Sequence, residues 1–204
     1  RILQIILILT LHFSLFAESE PNDSFVNANT IVINGGESGN IGGSDASDWY
    51  KITTIGDGRL TFNTTNANTV EFYIRLFDAN GTTQLTSSYK YFGGAGGTVV
   101  YNNLLPNTYY VKIEVAAGSG AYSISSVFEN ASFPIDIENN DSSKFSNIIN
   151  PVDSTTGHIG YYSNGFTDNN DWYKITTTQD GKLTIWTTNE TTAEFYVRLY
   201  DADT

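Results

Sequence analysis

The chain has 204 residues, 22 acidic and 10 basic, with a formal net charge of -12 and no cysteine. This balance excludes a nucleic-acid binder, because phosphates are met by lysine and arginine, and it argues against anionic membrane surfaces. An exported domain without disulfides needs a good-sized core, a bound metal, or both.

Residues 2 to 17, ILQIILILTLHFSLFA, are almost wholly apolar and follow Arg1. A positive start, an apolar stretch and a small residue, Ala17, at the cleavage point make a secretory signal peptide pattern. As a transmembrane anchor the run is short for about 30 Å of hydrocarbon. We therefore expect a leader over residues 1–17 and a secreted or cell-surface protein, with no membrane contact once the leader is removed. The chain has no methionine, even at position 1, and stops inside a repeat. It reads as part of a longer protein, with further domains of the same chain as its nearest partners.

Next comes ESEPND, Glu18 to Asp23, and further on SDASDWY, Ser44 to Tyr50. Both recur. The stretch from Asp48 to Asp78, DWYKITTIGDGRLTFNTTNANTVEFYIRLFD, returns from Asp171 to Asp201 with about two residues in three identical. ESEPND returns as DIENND, Asp136 to Asp141. Internal repetition of this kind is the strongest organisational signal a lone sequence offers. It predicts a first domain over 18–128, a linker over 129–135 and a second, incomplete domain over 136–204. A unit of about 110 residues is an ordinary single-domain size.

The predicted elements are strands. In VEFYIRLF, Phe72, Ile74 and Leu76 share one face, and Tyr73 and Arg75 the other. In NTYYVKIEV, Tyr109, Val111, Ile113 and Val115 alternate with Tyr110, Lys112 and Glu114. Such alternation marks half-buried strands. Asp57-Gly58, Asn80-Gly81 and Asp180-Gly181 suit tight hairpin turns. Gly93 to Gly97 reads as a flexible turn. The expected fold is all-β, an antiparallel, jelly-roll-like β-sandwich.

Two acidic clusters stand out in each copy: Glu18, Glu20, Asn22, Asp23, Asp45 and Asp48 in the first, and Asp136, Glu138, Asn140, Asp141, Asp168 and Asp171 in the second. Carboxylates brought so close repel one another unless a cation neutralises them. Hard oxygen donors with a side-chain amide suit Ca²⁺, which takes six to eight oxygens. Zinc and copper lack their usual ligands, since there is no cysteine and His158 is the one histidine after the leader. The bland alternative is a set of turn-capping, solubilising loop residues.

Nothing in the pattern calls for catalysis. His158 reads as a loop or surface histidine, with no histidine at the matching Gly39-Asn40 to complete a triad. A glycosidase acid needs an apolar pocket, which a crowd of acids denies it. Trp49, Trp172, Phe62 and Phe72 read as core or core-edge. Tyr73, Tyr110 and Tyr196 fall on outward strand positions, where they could touch an extracellular protein or polysaccharide polymer.

At these residues the chain resembles the bacterial pre-peptidase C-terminal domain family. The matching stretches are E-P-N-D (Glu20 to Asp23), the D-W-Y strands (Ser47 to Tyr50 and Asn170 to Tyr173), the D-G-x-L-T turns (Asp57 to Thr61 and Asp180 to Thr184) and N-T-Y-Y-V-K-I (Asn107 to Ile113). The resemblance implies a jelly-roll-like sandwich serving as a non-catalytic accessory module of secreted proteins, often proteases. The collagen-binding domains of clostridial collagenases are similar. Their calcium site implies the ligand set Glu18, Glu20, Asn22, Asp23, Asp45 and Asp48, with Asp136 replacing glutamate in the second copy. Two departures matter: the domains follow the leader directly and not a catalytic domain, and no collagen-contacting surface is matched. The expected function is attachment to, or spacing from, an extracellular polymer. The alternatives are an accessory region of a secreted protease and a structural adhesin repeat.

Overall fold

The computed structural model describes residues 16–131, 136–163, 165–189 and 193–201. Most of the expected leader and residues 132–135 of the expected linker lie outside them. Among the described residues no α-helix occurs, and no helix is long and apolar enough to cross a membrane. The chain forms two compact units. One comprises residues up to 53, 60–101 and 108–128, and the other 54–59, 102–107 and 129 onward.

The first unit is an antiparallel β-sandwich built from β1 (Phe16–Ala17), β2 (Asn29–Thr30), β3 (Gly36–Ile41), β4 (Ser47–Thr53), β5 (Gly58–Asn66), β6 (Val70–Phe77), β7 (Gln84–Lys90), β8 (Thr98–Leu104), β9 (Thr108–Gly118) and β10 (Gly120–Asn130). One sheet runs β1-β3-β10-β5-β8 and the other β2-β4-β9-β6-β7. The short strands β1 and β2 pair parallel, with β3 and β4 respectively. From β2 onward every connection but one crosses from sheet to sheet; only β6 and β7 follow each other within a sheet.

That alternation corrects one expectation. Asp57-Gly58 does not close a hairpin, because β4 and β5 belong to different sheets. A local turn signal cannot tell a hairpin from a crossing, since both need a tight reversal. Asn80-Gly81 does join an antiparallel pair. Gly81 has φ +67°, and Asn80 Oδ1 accepts the amides of Thr82 and Thr83, both at 2.8 Å.

The core follows strand alternation. Leu60, Phe62, Phe72, Ile74, Leu76, Val111 and Ile113 are fully buried. The rings of Phe72 and Tyr122 meet across the sandwich, 5.6 Å apart. Val115 breaks the pattern and is half-buried. The register of β9 against β6 shifts between Glu71 and Phe72, so Ala116 is an extra residue there and the alternation slips. Trp49 is buried beside Phe77, with ring centroids 5.0 Å apart. The glycine-rich turn is folded around a buried ammonium: Lys90 Nζ donates to the carbonyls of Gly94 (2.7 Å) and Gly96 (3.3 Å).

The second unit holds β11 (Asn147–Ile149) paired parallel with β14 (Tyr173–Ile175), and a hairpin of β12 (Tyr162–Ser163) and β13 (Phe166–Thr167). Residues 182–189 and 193–201 form no strand, although they repeat β5 and β6 closely, and Asp180-Gly181 closes no hairpin. In the first unit β5 lies between β10 and β8, and β6 between β9 and β7. Among the described residues no strand pairs with 182–189 or 193–201. A strand is stabilised by its ladder partners more than by its own propensity, so the same local sequence gives a different local structure.

Candidate metal centre

The first cluster is assembled by the chain entering the sandwich. Glu18 leaves β1 held by its amide on Ser38 O (3.0 Å). Its carboxylate accepts the Asn40 amide on Oε1 (2.7 Å) and the Tyr50 hydroxyl on Oε2 (2.8 Å). Glu20 Oε2 accepts the Asn22 amide (3.0 Å), and Asn22 O accepts the Trp49 amide (2.9 Å), which ties the entering segment to β4. The body contributes Asp45, on the turn closed by Gly42 N on Asp45 O (2.8 Å), and Asp48 on β4. Glu18, Glu20 and Asp48 each bring an oxygen within 4.8 Å of the others. Glu18, Glu20, Asp23, Asp45 and Tyr122 line one open cleft.

Asn22 and Asp48 are fully buried. Asn22 turns its Nδ2 toward Glu18, and its Oδ1 has no partner among the described residues. Asp45 Oδ1 and Asp48 Oδ1 are buried and unpartnered as well. Burial, then the charges of Glu18, Asp45 and Glu20, push Asp48 up to about 8. Burial and the charges of Glu20, Asp23 and Glu18 raise Asp45 above the usual carboxylate range.

The second cluster repeats this geometry on different side chains. Asp136 Oδ2 accepts the Tyr173 hydroxyl at 2.8 Å, as Glu18 does that of Tyr50. Trp172 N donates to Asn140 O at 2.9 Å, and Gly160 N closes the turn onto Asp168 O at 2.6 Å. Oxygens of Asp136, Glu138 and Asp171 gather within 4.8 Å of one another. Asn140 is fully buried, and Asn140 Oδ1, Asp168 Oδ1 and Oδ2, and Asp171 Oδ1 have no partner among the described residues. Burial first, and then the neighbouring carboxylates, push Asp168 and Asp171 up to about 7.

A buried oxygen without a donor costs free energy, and here the same three positions carry that cost in both copies. Their chemistry fits a hard cation. All the donors are oxygen, carboxylate and amide are mixed, and the cleft leaves room for water to complete six to eight ligands.

Several residues that shape the site carried no flag in the sequence. The hydroxyls of Tyr50 and Tyr122 lie 2.5 Å apart, and that of Tyr122 reaches Asp48 Oδ2 at 2.5 Å and Glu18 Oε2 at 3.0 Å. Gly39 leaves space for Glu18: a Cβ there would overlap its carboxylate. At Gly157 a Cβ would stand 2.6 Å from Tyr173 Oη and 3.0 Å from the Asp136 carboxyl group. The overlooked signal was the recurrence of SGNIGG (38–43) as TGHIGY (156–161). Gly39→Ala should therefore leave the fold intact while displacing Glu18. If the cluster holds a cation, its affinity should fall about 10–100-fold, the range for groups that orient metal ligands, measured by titration against the unaltered chain.

His158 lies in a loop, the first of its two expected settings, and is buried there, with Nδ1 3.2 Å from Asp57 Oδ2 and its ring stacked on Tyr161 at 4.1 Å. Its backbone amide takes the place of Asn40's, 3.4 Å from Asp136 Oδ1. The expected contact tyrosines differ in setting. Tyr73 is part-exposed on β6, Tyr110 packs under Phe25 (5.6 Å), and Tyr196 is exposed outside any strand.

No family model matches this chain, and no curated protein matches it. Among solved structures it is similar to the pre-peptidase C-terminal domain of collagenase from Bacillus anthracis, at 19% identity and a TM-score of 0.44, over 53% of this chain and 99% of that one. It is also similar to Aeromonas hydrophila PliG, a periplasmic inhibitor of g-type lysozyme, at 8% identity and a TM-score of 0.38, over 50% and 97% of the two chains. At these values neither likeness bears on the site.

Proposed function

We propose that this chain is a non-catalytic, calcium-stabilised β-sandwich module of an exported bacterial protein, serving to attach it to, or space it from, an extracellular polymer. The observation that carries the metal reading is the matched set of buried, unpartnered oxygens, on Asn22, Asp45 and Asp48 in one copy and on Asn140, Asp168 and Asp171 in the other. Glu18, Glu20, Asn22, Asp23, Asp45 and Asp48 would hold one Ca²⁺, and Asp136, Glu138, Asn140, Asp141, Asp168 and Asp171 another. The ion would supply the positive charge that these carboxylates lack among themselves. Because each cluster draws on an entering segment and on the body it enters, binding would fix the first to the second and set the angle at which the chain arrives.

Attachment is supported by an aromatic surface on the edge of the β2-β4-β9-β6-β7 sheet. Tyr73 meets Tyr89 edge to face at 4.8 Å, Tyr89 meets Tyr91 at 4.7 Å, and the Arg75 guanidinium lies 4.6 Å from the Tyr73 ring centre. Amphipathic rings held rigidly in this way offer contact area at low entropic cost.

The test is a thermal melt of the full chain with and without calcium. A ligand at about 100 times its dissociation constant adds about 2.7 kcal/mol, which for a domain of this size is a rise of about 10–20 °C. Identical melts in chelator and in millimolar calcium would remove the proposal.

A further inference from the structure

His158 gives the second cluster a side-chain contact at a place where the first has an exposed Asn40. The backbone role of the two residues is shared: the Asn40 amide donates to Glu18, and that of His158 to Asp136. The difference lies in the side chain. The imidazole is 5% exposed, stacks on Tyr161 and sets Nδ1 3.2 Å from Asp57 Oδ2. Both partners belong to the second unit. Asp57 is firmly held there. Its carbonyl accepts the Ala131 amide at 2.7 Å, and Gly58 runs so close to Glu129 that a Cβ would overlap Glu129 O. Thr54 N donates to Asn107 O at 2.9 Å and Asn107 N to Thr54 Oγ1 at 3.1 Å, which ties residues 54–59 to 102–107. From the latter stretch Leu105 N donates to Tyr162 O at 3.1 Å. Residues 157–162 are thus held at both His158 and Tyr162. Their remaining contacts run to the cluster: His158 N to Asp136 Oδ1 at 3.4 Å, Gly160 N to Asp168 O at 2.6 Å, and Asp168 N to Tyr161 O at 2.8 Å.

We infer that residues 157–162 couple the second cluster to Asp57. Holding His158 against Asp57 fixes the backbone that places Asp136 and Asp168, and a cation on those carboxylates fixes the seat of His158 in return. The inference rests on the cation reading of that cluster. Asp57 and His158 act as positioning residues, since neither is among the proposed ligands. A loop ordered in advance leaves less ordering to the binding step, which raises affinity without a new ligand. Coupling of this kind is reciprocal, so the ion strengthens the grip on Asp57 and Leu105 by the same factor.

The experiment titrates the full chain with calcium in an Asp48→Asn background, which weakens the first cluster, and adds Asp57→Ala, His158→Asn or both. His158→Asn installs the residue of the first copy and keeps the backbone amide on Asp136. We expect each change to lower calcium affinity at the second cluster about 10-fold, within the usual range for coupled sites. The pair should cost no more than either alone, because one contact is lost in every case. Calcium should also slow exchange of the Leu105 amide in the Asp48→Asn chain but not once His158→Asn is added. In an Asp171→Asn background the same changes should leave the first cluster's affinity unaltered. Unchanged affinity at the second cluster would overturn the inference and leave the cation reading standing. So would additive losses in the pair, or an equal loss at the first cluster. No calcium binding to the Asp48→Asn chain would remove the cation reading of the second cluster, and the inference with it.

Discussion

Replacing Asp48 with asparagine should have opposite effects with and without calcium. It should weaken calcium binding at the first cluster by at least about 100-fold, since loss of a direct ligand costs no less than loss of an outer-shell partner, and yet raise the melting temperature of the metal-free protein. Asp48 is fully buried, and burial together with Glu18, Asp45 and Glu20 pushes its carboxyl up to about 8. The amide removes the charge that the fold has to accommodate and keeps an oxygen toward the Tyr122 hydroxyl, 2.5 Å from Asp48 Oδ2. Melts of D48N in chelator and in calcium separate the two effects. A structural hydrogen-bond role predicts destabilisation under both conditions. An exposed, solubilising acid predicts no change in either. Only a carboxylate kept for a cation predicts a gain without the ion and a loss with it.

The second large effect is on pH. Asp48 is held up to about 8, and Asp168 and Asp171 to about 7, mainly by burial and then by neighbouring carboxylates. In the unfolded chain an aspartate titrates near pH 3.9. Between about pH 4 and 8 the metal-free folded chain therefore keeps protons that the unfolded chain has released, so its stability falls as pH rises through that window. Most metal-free proteins with paired carboxylates behave in the opposite sense. On the proposed reading calcium would displace those protons, so its affinity should rise by about 100-fold or more from pH 5.5 to 8, and binding should release protons. Titrations in two buffers of different ionisation enthalpy count the protons directly. An affinity that is flat across this range would mean that the raised carboxyls are not ligands.

What could be read in the sequence divides along physical lines. Strand alternation placed Phe72, Ile74, Leu76, Val111 and Ile113 inside, because facing depends on the strand alone. Which strands are neighbours depends on the whole chain, and there the local signal failed: Asp57-Gly58 carries turn chemistry but joins two different sheets. Val115 slipped because a bulge is a property of a pair, set by β6 as much as by β9. Duplication exposed the acidic positions, since each copy is a control for the other, and the structure brings Glu18, Glu20 and Asp48 together in one copy and Asp136, Glu138 and Asp171 in the other. Tyr50 and Tyr122 went unnoticed, because a tyrosine in a strand looks like core until its hydroxyl is seen to end on a carboxylate. Gly39 and Gly157 act by the absence of a side chain, which only an atomic neighbourhood reveals. Residues 182–189 and 193–201 make the same point in reverse: with nearly the sequence of β5 and β6, they form no strand, and no described strand pairs with them.

The central claim is that each acidic constellation is a cation site. Calorimetric titration of the full chain with calcium tests it most directly, alongside D48N and Asp171→Asn. The claim predicts saturable binding at millimolar calcium or below, with stoichiometry lowered by each substitution and binding abolished by both together. No heat of binding at millimolar calcium, or a stoichiometry unchanged in the double variant, would contradict it.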